Sequence, residues 1–260
     1  MGESQMAKIV AVANQKGGVG KTTSAVSLAA ALAKKKKKVL LLDSYPQGNG
    51  SSGLGIRVRE LKRHLYHSYT GGVPLADIMV TTDVPYLSVI PASIDLAAAE
   101  VELVGVDQRE RCLERLLAPV VDQFDFILID CPPSLGLLTV NALTCAHSAL
   151  IPMQCEYYAL EGLAQLVNTI RSVKKRLNPD LFIEGLLLTM YDRRNKLTFQ
   201  VADEVARHFG KQVFKTIIPR NVRLSECPSH GQTIIDYDLR SSGAQAYLQL
   251  ATEFLRNQKK

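Results

Sequence analysis

Apolar residues along this chain fall into short, mostly continuous runs. Seven of these runs read as buried strands: Ile9–Ala13, Val39–Leu42, Leu87–Pro91, Phe126–Ile129, Ala149–Met153, Ile183–Thr189 and Val213–Ile218. A strand covered on both faces has no solvent side to make polar, so continuous runs mark a parallel sheet sandwiched by helices. Between several runs lie stretches with apolar positions three and four apart, clearest in Thr22–Lys35, Gln108–Asp122, Leu160–Leu177, Phe199–Phe209 and Ala244–Arg256. That spacing is helical. Strand–helix alternation predicts an α/β fold: a doubly wound, mostly parallel sheet flanked by helices. No linker or repeat interrupts it, and Lys34–Lys38 is its only low-complexity tract, so residues 1–260 read as one domain with a flexible lead-in, residues 1–6.

Chemistry enters between the first run and the first helix. Residues 16–23 read Lys-Gly-Gly-Val-Gly-Lys-Thr-Thr. Strand, glycine-rich turn and helix form the context of a phosphate-binding loop. Gly17, Gly18 and Gly20 let the backbone bend so that successive N–H groups, that of Val19 among them, converge on a ligand, and the helix N-terminus adds partial positive charge. Lys21 would reach the β- and γ-phosphates, and the Thr22 hydroxyl, followed by Thr23, would bind Mg²⁺. A surface turn with two solvated lysines is the plain alternative, but the flanking strand, helix and threonine argue against it. The general pattern places a glycine where this chain has Gln15, and a second lysine, Lys16, stands at the loop mouth. One lysine suffices to hold a phosphate, so Lys16 suits a target elsewhere, such as a neighbouring subunit's nucleotide.

In doubly wound folds ligands sit at the carboxyl ends of the strands. Val39–Leu42 ends in Asp43 and Phe126–Ile129 ends in Asp130. A lone aspartate after a strand is ordinarily a turn former or cap. Two of them, in a chain with a phosphate loop, read as metal carboxylates: Asp130 in the Walker B position and Asp43 beside it.

The remaining composition narrows the class without deciding it. A net charge of +6 permits a polyanion partner but does not require one. The five cysteines, Cys112, Cys131, Cys145, Cys155 and Cys227, form no Cys-x-x-Cys pair, so reduced thiols are expected rather than disulfides or zinc. No stretch approaches the ~20 apolar residues of a membrane span, and the first residues lack a signal-peptide pattern, so a cytoplasmic protein is expected. Lys34–Lys38 reads as a solvated helix terminus, and the amphipathic segment ending at Arg256 reads as a helix packed on the sheet.

The ordered set of motifs then resembles one family. Asn14-Gln15-Lys16-Gly17-Gly18-Val19-Gly20-Lys21-Thr22-Thr23 is similar to the deviant Walker A motif of the ParA/Soj partition ATPases. Pro46-Gln47-Gly48-Asn49, Asp130-Cys131-Pro132-Pro133-Ser134, Glu156-Tyr157-Tyr158-Ala159-Leu160-Glu161-Gly162 and Ile218-Pro219-Arg220-Asn221-Val222-Arg223-Leu224 extend the resemblance over nearly the whole chain. It implies a P-loop ATPase (ATP and water to ADP and phosphate) with ATP and Mg²⁺ as cofactors. It implies a nucleotide-sandwich homodimer in which Lys16 reaches the partner's phosphates. It further implies ATP-dependent, non-specific binding of double-stranded DNA, a ParB-type partner that stimulates hydrolysis, a role in chromosome or plasmid partition, and association with the nucleoid. The chain looks like the short type, without an amino-terminal helix-turn-helix extension.

By the same resemblance, Arg194 and Arg223 match basic residues that relatives use on DNA, with Arg193, Lys196 and Arg220 as neighbours. Pro219 and Asn221 lie in a loop that borders the adenine in relatives, and Glu156–Gly162 belongs to the dimer interface. For each arginine the plain alternative is a surface ion pair. One departure stands out. The family has a second aspartate where this chain has Tyr45, in Asp43-Ser44-Tyr45-Pro46-Gln47. That carboxylate helps orient the attacking water, and a phenol of intrinsic pKa about 10 is no negative acceptor at neutral pH. Slow turnover is therefore expected, with a nucleotide-locked DNA-binding protein as one alternative. A division-site ATPase of MinD type, which needs a basic amphipathic membrane anchor at its C-terminus, is another. The tail Asn257–Lys260 is weak for that role, so no stable membrane anchor is expected. A metabolic or metal-cluster ATPase would commonly carry the cysteine pairs that are missing here.

Overall fold

The parity of each apolar run decides which side of the sheet its residues cover. In β1 (Lys8–Val12), β2 (Val39–Asp43) and β5 (Phe126–Asp130), the side chains of Ile9, Ala11, Leu40, Leu42, Ile127 and Ile129 join one hydrophobic core. Val10, Val12, Val39, Leu41 and Leu128 join a second core on the opposite face. Successive side chains on a strand point to opposite sides, so an unbroken apolar run serves two cores at once. The computed structural model describes residues 7–157 and 159–258; the expected flexible lead-in 1–6, Tyr158 and Lys259–Lys260 lie outside it.

With β3 (Val80–Thr81), β4 (Leu87–Ile90), β6 (Ser148–Gln154) and β7 (Phe182–Thr189), the sheet has seven strands in the order β3-β4-β2-β5-β1-β6-β7. All neighbours run parallel except the two-residue β3 against β4. The doubly wound, mostly parallel α/β sheet expected from the sequence is the architecture found. The five principal helices are α1 (Lys21–Lys34), α2 (Leu137–Cys145), α3 (Ala159–Arg176), α4 (Lys196–Phe209) and α5 (Ser242–Asn257). α1 and α5 contribute Leu28, Leu32, Tyr247, Leu250 and Phe254 to one core, whereas α2, α3 and α4 contribute Leu138, Leu166, Ile170 and Val205 to the other. The apolar face of α5 is thus spent inside the molecule, with the Phe254 ring 5.5 Å from that of Phe126. Among the described residues no helix is long and apolar enough to cross a membrane. None of the five cysteines is in a disulfide.

The chain begins in the middle of the sheet, runs outward through β2 and β4, and returns to insert β5 between β2 and β1 before building β6 and β7 on the other side. Such a reversal opens a crevice at the carboxyl ends of the strands. The ends of β1, β2 and β5 meet there.

Two expected elements differ. Val213–Ile218 is not a strand: its backbone is tied to β7 by Phe214 N–H to the Leu186 carbonyl and Ile218 N–H to the Leu188 carbonyl, each at 2.9 Å, without a continuous ladder. Between those points the buried Glu253 of α5 intervenes. Its carboxylate accepts from Lys215 N–H at 2.8 Å, Thr216 N–H at 2.9 Å and the Thr216 hydroxyl at 2.7 Å. A side chain from a distant helix takes the donors that a ladder would use. Nor is Gln108–Asp122 one helix. A 3₁₀ turn (Arg109–Arg111) leads into a helix over Cys112–Leu117, which stops ahead of Pro119, a residue with no N–H to continue the ladder. The carboxylate of Glu253 gives the first test. Glu253→Ala leaves two amides without their acceptor and should lower the unfolding free energy by about 2–4 kcal/mol. Glu253→Gln, which keeps one acceptor, should lose less. An unchanged urea midpoint for the alanine variant would contradict this.

Candidate functional site

β1 runs directly into the glycine loop, and neighbouring strands hold the loop in shape. Asn14, buried, accepts from Lys16 N–H at 3.0 Å and donates to the Pro152 carbonyl on β6 at 2.8 Å. Gln154 at the end of β6 donates to the Gly18 carbonyl at 2.9 Å, and Thr189 at the end of β7 donates to the Val19 carbonyl at 2.8 Å. A peptide plane sets N–H opposite C=O, so fixing these two carbonyls also aims the N–H groups of Val19 and Gly20 the other way. Gly18 (φ +73°) and Gly20 (φ +82°) occupy the left-handed region, where a side chain is strained. Gly17 has no such backbone, and a Cβ there would meet nothing within 4 Å. No neighbouring atom in the fold excludes a side chain at 17. Lys21, at the first turn of α1, is buried and donates to the Lys16 carbonyl at 3.0 Å across the loop. Burial pulls its pKa down, opposed by the nearby Asp130.

Asp43 and Asp130 face each other in the β2–β5 register, and both are fully buried. Asp43 is well supplied with donors. One oxygen takes the N–H and hydroxyl of Ser51, both at 2.7 Å, and the other takes Tyr45 N–H at 3.2 Å. The backbone of Gly50 packs so closely that a Cβ would lie 3.1 Å from the carboxylate. Desolvation nonetheless pushes Asp43 up to about 6, with the Ser51 and Tyr45 donors opposing the rise. Neither oxygen of Asp130 receives a hydrogen bond of ordinary length, and the Thr22 hydroxyl and Lys21 ammonium are the nearby groups that ease its charge. Burial first, and the charge of Asp43 second, raise it well above the carboxylate range, with Thr22 and Lys21 partly offsetting them. An orphaned buried carboxylate beside a second one is a poor arrangement for a protein alone and a good one for a hard cation. The donor set of Thr22, Asp43 and Asp130 therefore fits Mg²⁺.

Tyr45 is half-buried at the rim, its carbonyl accepting from Gly48 N–H at 2.9 Å. Lys16 lies on the open side of the loop, its ammonium 2.5 Å from the Glu156 carboxylate. Gln15 is turned toward α3, donating to the Gly162 carbonyl at 3.1 Å and the Gln165 side chain at 2.8 Å. Of the adenine-loop candidates, Asn221 donates to the Ser242 hydroxyl at 2.8 Å while its side-chain oxygen is buried and unpartnered. Pro219 pairs with Tyr191 in a parallel bridge. That bridge brings Arg220 beside the Asp192–Arg194 pair, just beyond the edge strand β7. Arg194 grips Asp192 with two hydrogen bonds, 3.0 and 2.9 Å, and holds its carboxyl at about 2, with Arg220 adding to the effect. Arg223 pairs with Glu226 at 2.8 Å and Asp238 at 3.6 Å, and Arg193 is exposed. The ion pairs weighed as the plain alternative are thus present for Arg194 and Arg223.

Sequence reasoning did not single out Ser51, Gly50, Gln154 or Thr189. Gln154 and Thr189 stand where strands end on the loop side, and that position was the available signal. The carboxylate pair makes a prediction. The elevated Asp43 carboxyl favours the metal-free fold at low pH, a contribution lost as pH rises from 3.8 through about 6, and the more strongly raised Asp130 carries the loss to higher pH. Asp130→Asn should raise the metal-free melting temperature at pH 8 by a few degrees, from about 1–3 kcal/mol of relieved charge burial. It should also abolish the extra melting shift that Mg²⁺ adds to ADP. A variant that melts lower and still responds to Mg²⁺ would refute this.

The sequence matches the family described as an AAA domain over residues 7–183. It is 57% identical over 252 residues to the sporulation initiation inhibitor protein Soj of Bacillus subtilis (strain 168), an alignment spanning 97% of this chain and 100% of that one. It is 52% identical over 255 residues to the chromosome partitioning protein ParA of Myxococcus xanthus, spanning 98% and 90%. Among solved structures, a Mycobacterium smegmatis protein described as cobyrinic acid a,c-diamide synthase, with bound ADP and magnesium, superposes with a TM-score of 0.87 at 39% identity, spanning 98% of this chain and 96% of that one. A glycine loop held by three strands, a buried carboxylate pair beside it and this similarity along nearly the full length agree: the chain belongs to the ParA/Soj family of P-loop ATPases.

Proposed function

We propose that this chain is a single-domain partition ATPase. It binds MgATP in the crevice at the ends of β1, β2 and β5, pairs with a second copy across the nucleotide, and in that form holds double-stranded DNA without reading its sequence. The observation that carries the reading is the contrast of charges across the crevice. A loop offering amides and the buried Lys21 ammonium, with Lys16 at its open side, stands beside two buried carboxylates, one of which lacks a hydrogen bond of ordinary length. An anion satisfies the first half and a cation the second; a metal–triphosphate complex satisfies both.

The amides of Gly17 to Thr23 and the Lys21 ammonium cradle the phosphates. Thr22, Asp130 and Asp43 hold Mg²⁺, which when bound neutralises charge on the phosphate oxygens. Lys16 is the group aimed at the other copy's phosphates, and it must exchange Glu156 for them. The exposed pair (Lys16 37%, Glu156 49% exposed) is weak enough to exchange. Tyr45 begins the turn after β2, where a water-orienting carboxylate belongs. A neutral phenol there slows phosphoryl transfer, because such catalysis is largely positioning and electrostatics. The ATP form then accumulates, and the chain acts mainly as a slowly released DNA binder. Arg193, Arg194, Arg220 and Arg223 supply backbone phosphate contacts, sharing their carboxylate partners with the polyanion. A ParB-type protein accelerates hydrolysis, so the chain resides on the nucleoid until triggered.

Two measurements test the reading. Steady-state turnover of Tyr45→Asp should exceed that of the parent severalfold or more; equal rates would remove Tyr45 from the mechanism. Arg223→Glu should keep ATP affinity but weaken ATP-dependent retention on non-specific duplex DNA by tenfold or more, with a shallower salt dependence. Undiminished retention would take Arg223 out of the DNA face.

A further inference from the structure

The segment following β4 carries two apolar faces where a surface helix needs one. It forms a helix over Leu96–Glu102 and a 3₁₀ turn over Leu103–Gly105. Leu96, Ala99 and Leu103 are buried in the core. Back to back with them, Ile94, Val101 and Val104 are 70%, 74% and 62% exposed, with exposed Ala97 and Ala98 between them. Positions 94, 97, 98, 101 and 104 repeat at helical spacing, so the exposed side chains form one continuous stripe rather than scattered contacts.

Its charge is as distinct as its apolarity. Within residues 93–107 the acids are Asp95, Glu100, Glu102 and Asp107, with no lysine, arginine or histidine, in a chain of net charge +6. Asp95, Glu102 and Asp107 are exposed; Asp95 lies 3.4 Å from the His64 ring, and one oxygen of Glu102 accepts from the Tyr66 hydroxyl at 3.0 Å, a neutral donor that leaves its charge in place. Glu100 is turned away, accepting from Leu138 N–H at 3.2 Å, and thereby fixes the helix against the start of α2. The nearest following cation, Arg109, is occupied by Glu110 at 3.2 Å and by the Val104 carbonyl at 2.9 Å. Arg57 and Arg59 share a cavity with Ile94 and Asp95 at the amino end, so the acidic character is strongest from residue 100 onward.

We propose that this stripe is a docking face for a cationic amphipathic helix of a partner chain. Apolar residues spaced three and four apart on that helix would cover Val101, Val104 and Ile94, and flanking lysines or arginines would meet Glu102 and Asp107. The match is helix against helix, with the acidic flank selecting for basic partners. It does not rest on the nucleotide reading.

The test uses the full chain and a fluorescent peptide roughly four helical turns long, in which leucines form one face and lysines the rest. One control peptide replaces lysine with glutamate; another keeps the lysines and replaces leucine with serine. The leucine–lysine peptide should bind, with both controls at least tenfold weaker. Val101→Ser/Val104→Ser should weaken binding at least tenfold, and so should Glu102→Lys/Asp107→Lys, a second variant that leaves the apolar stripe in place. Each variant's melting curve checks its folding. No binding of the leucine–lysine peptide, equal binding to either variant, or equal binding of a control peptide would overturn the proposal. So would a change in the sedimentation of the peptide-free chain on Val101→Ser/Val104→Ser, which would give the face to a second copy instead.

Discussion

Two carboxylates on adjacent strands, at the same register and out of contact with water, are the constraint around which the rest of the molecule is arranged. Asp43 is made tolerable by Ser51 and Tyr45, whose groups converge on it because Gly50 allows the chain to approach. Asp130 has only the weaker help of Thr22 and Lys21, with no hydrogen bond of ordinary length. Leaving a carboxylate in that condition costs several kcal/mol unless it holds a proton or meets a cation. The sheet forces the pairing, since the chain returns to insert β5 beside β2. The same reversal puts the glycine loop of β1 beside them, so the demand for a cation and the demand for an anion arise at one place.

The loop is held from behind by its neighbours. Asn14 just past β1, Gln154 on β6 and Thr189 on β7 fix its path, which leaves Lys21 inside and Lys16 outside. That division suits two jobs: one ammonium for the chain's own ligand and one for a ligand held elsewhere. The arginine edge follows from the same strands. The bridge between Tyr191 and Pro219 places the loop beyond β7 next to the loop that ends in Arg223. The proposed DNA face thus lies just beyond the strand whose Thr189 holds the glycine loop.

Much of the fold is legible in the sequence because buried parallel strands leave a local mark: an apolar run whose alternate members serve opposite cores. The strands at β1, β2 and β5 were readable for that reason, and so were the loop and the aspartates at their ends. What fails is what depends on distant groups. Val213–Ile218 has the composition of a strand, but Glu253, more than thirty residues on, takes its amides. Ser51 is an ordinary serine of a one-turn helix, Asn49–Ser52, until the fold sets it against Asp43. The break in Gln108–Asp122 was available locally, in Pro119, but was outweighed by the helical spacing around it. Tyr45 lies at the other extreme, visible only against a family pattern.

The central claim is that two copies of this chain clasp one another through bound triphosphate, with Lys16 as the reaching group. Light scattering on the chain with ADP and with ATP, for the parent and for Lys16→Gln, tests it most directly. The account predicts a monomer with ADP and a dimer with ATP for the parent, and a variant that binds ATP as tightly yet stays monomeric. A Lys16→Gln chain that dimerises as readily as the parent, or a parent indifferent to adenine nucleotides, would contradict it.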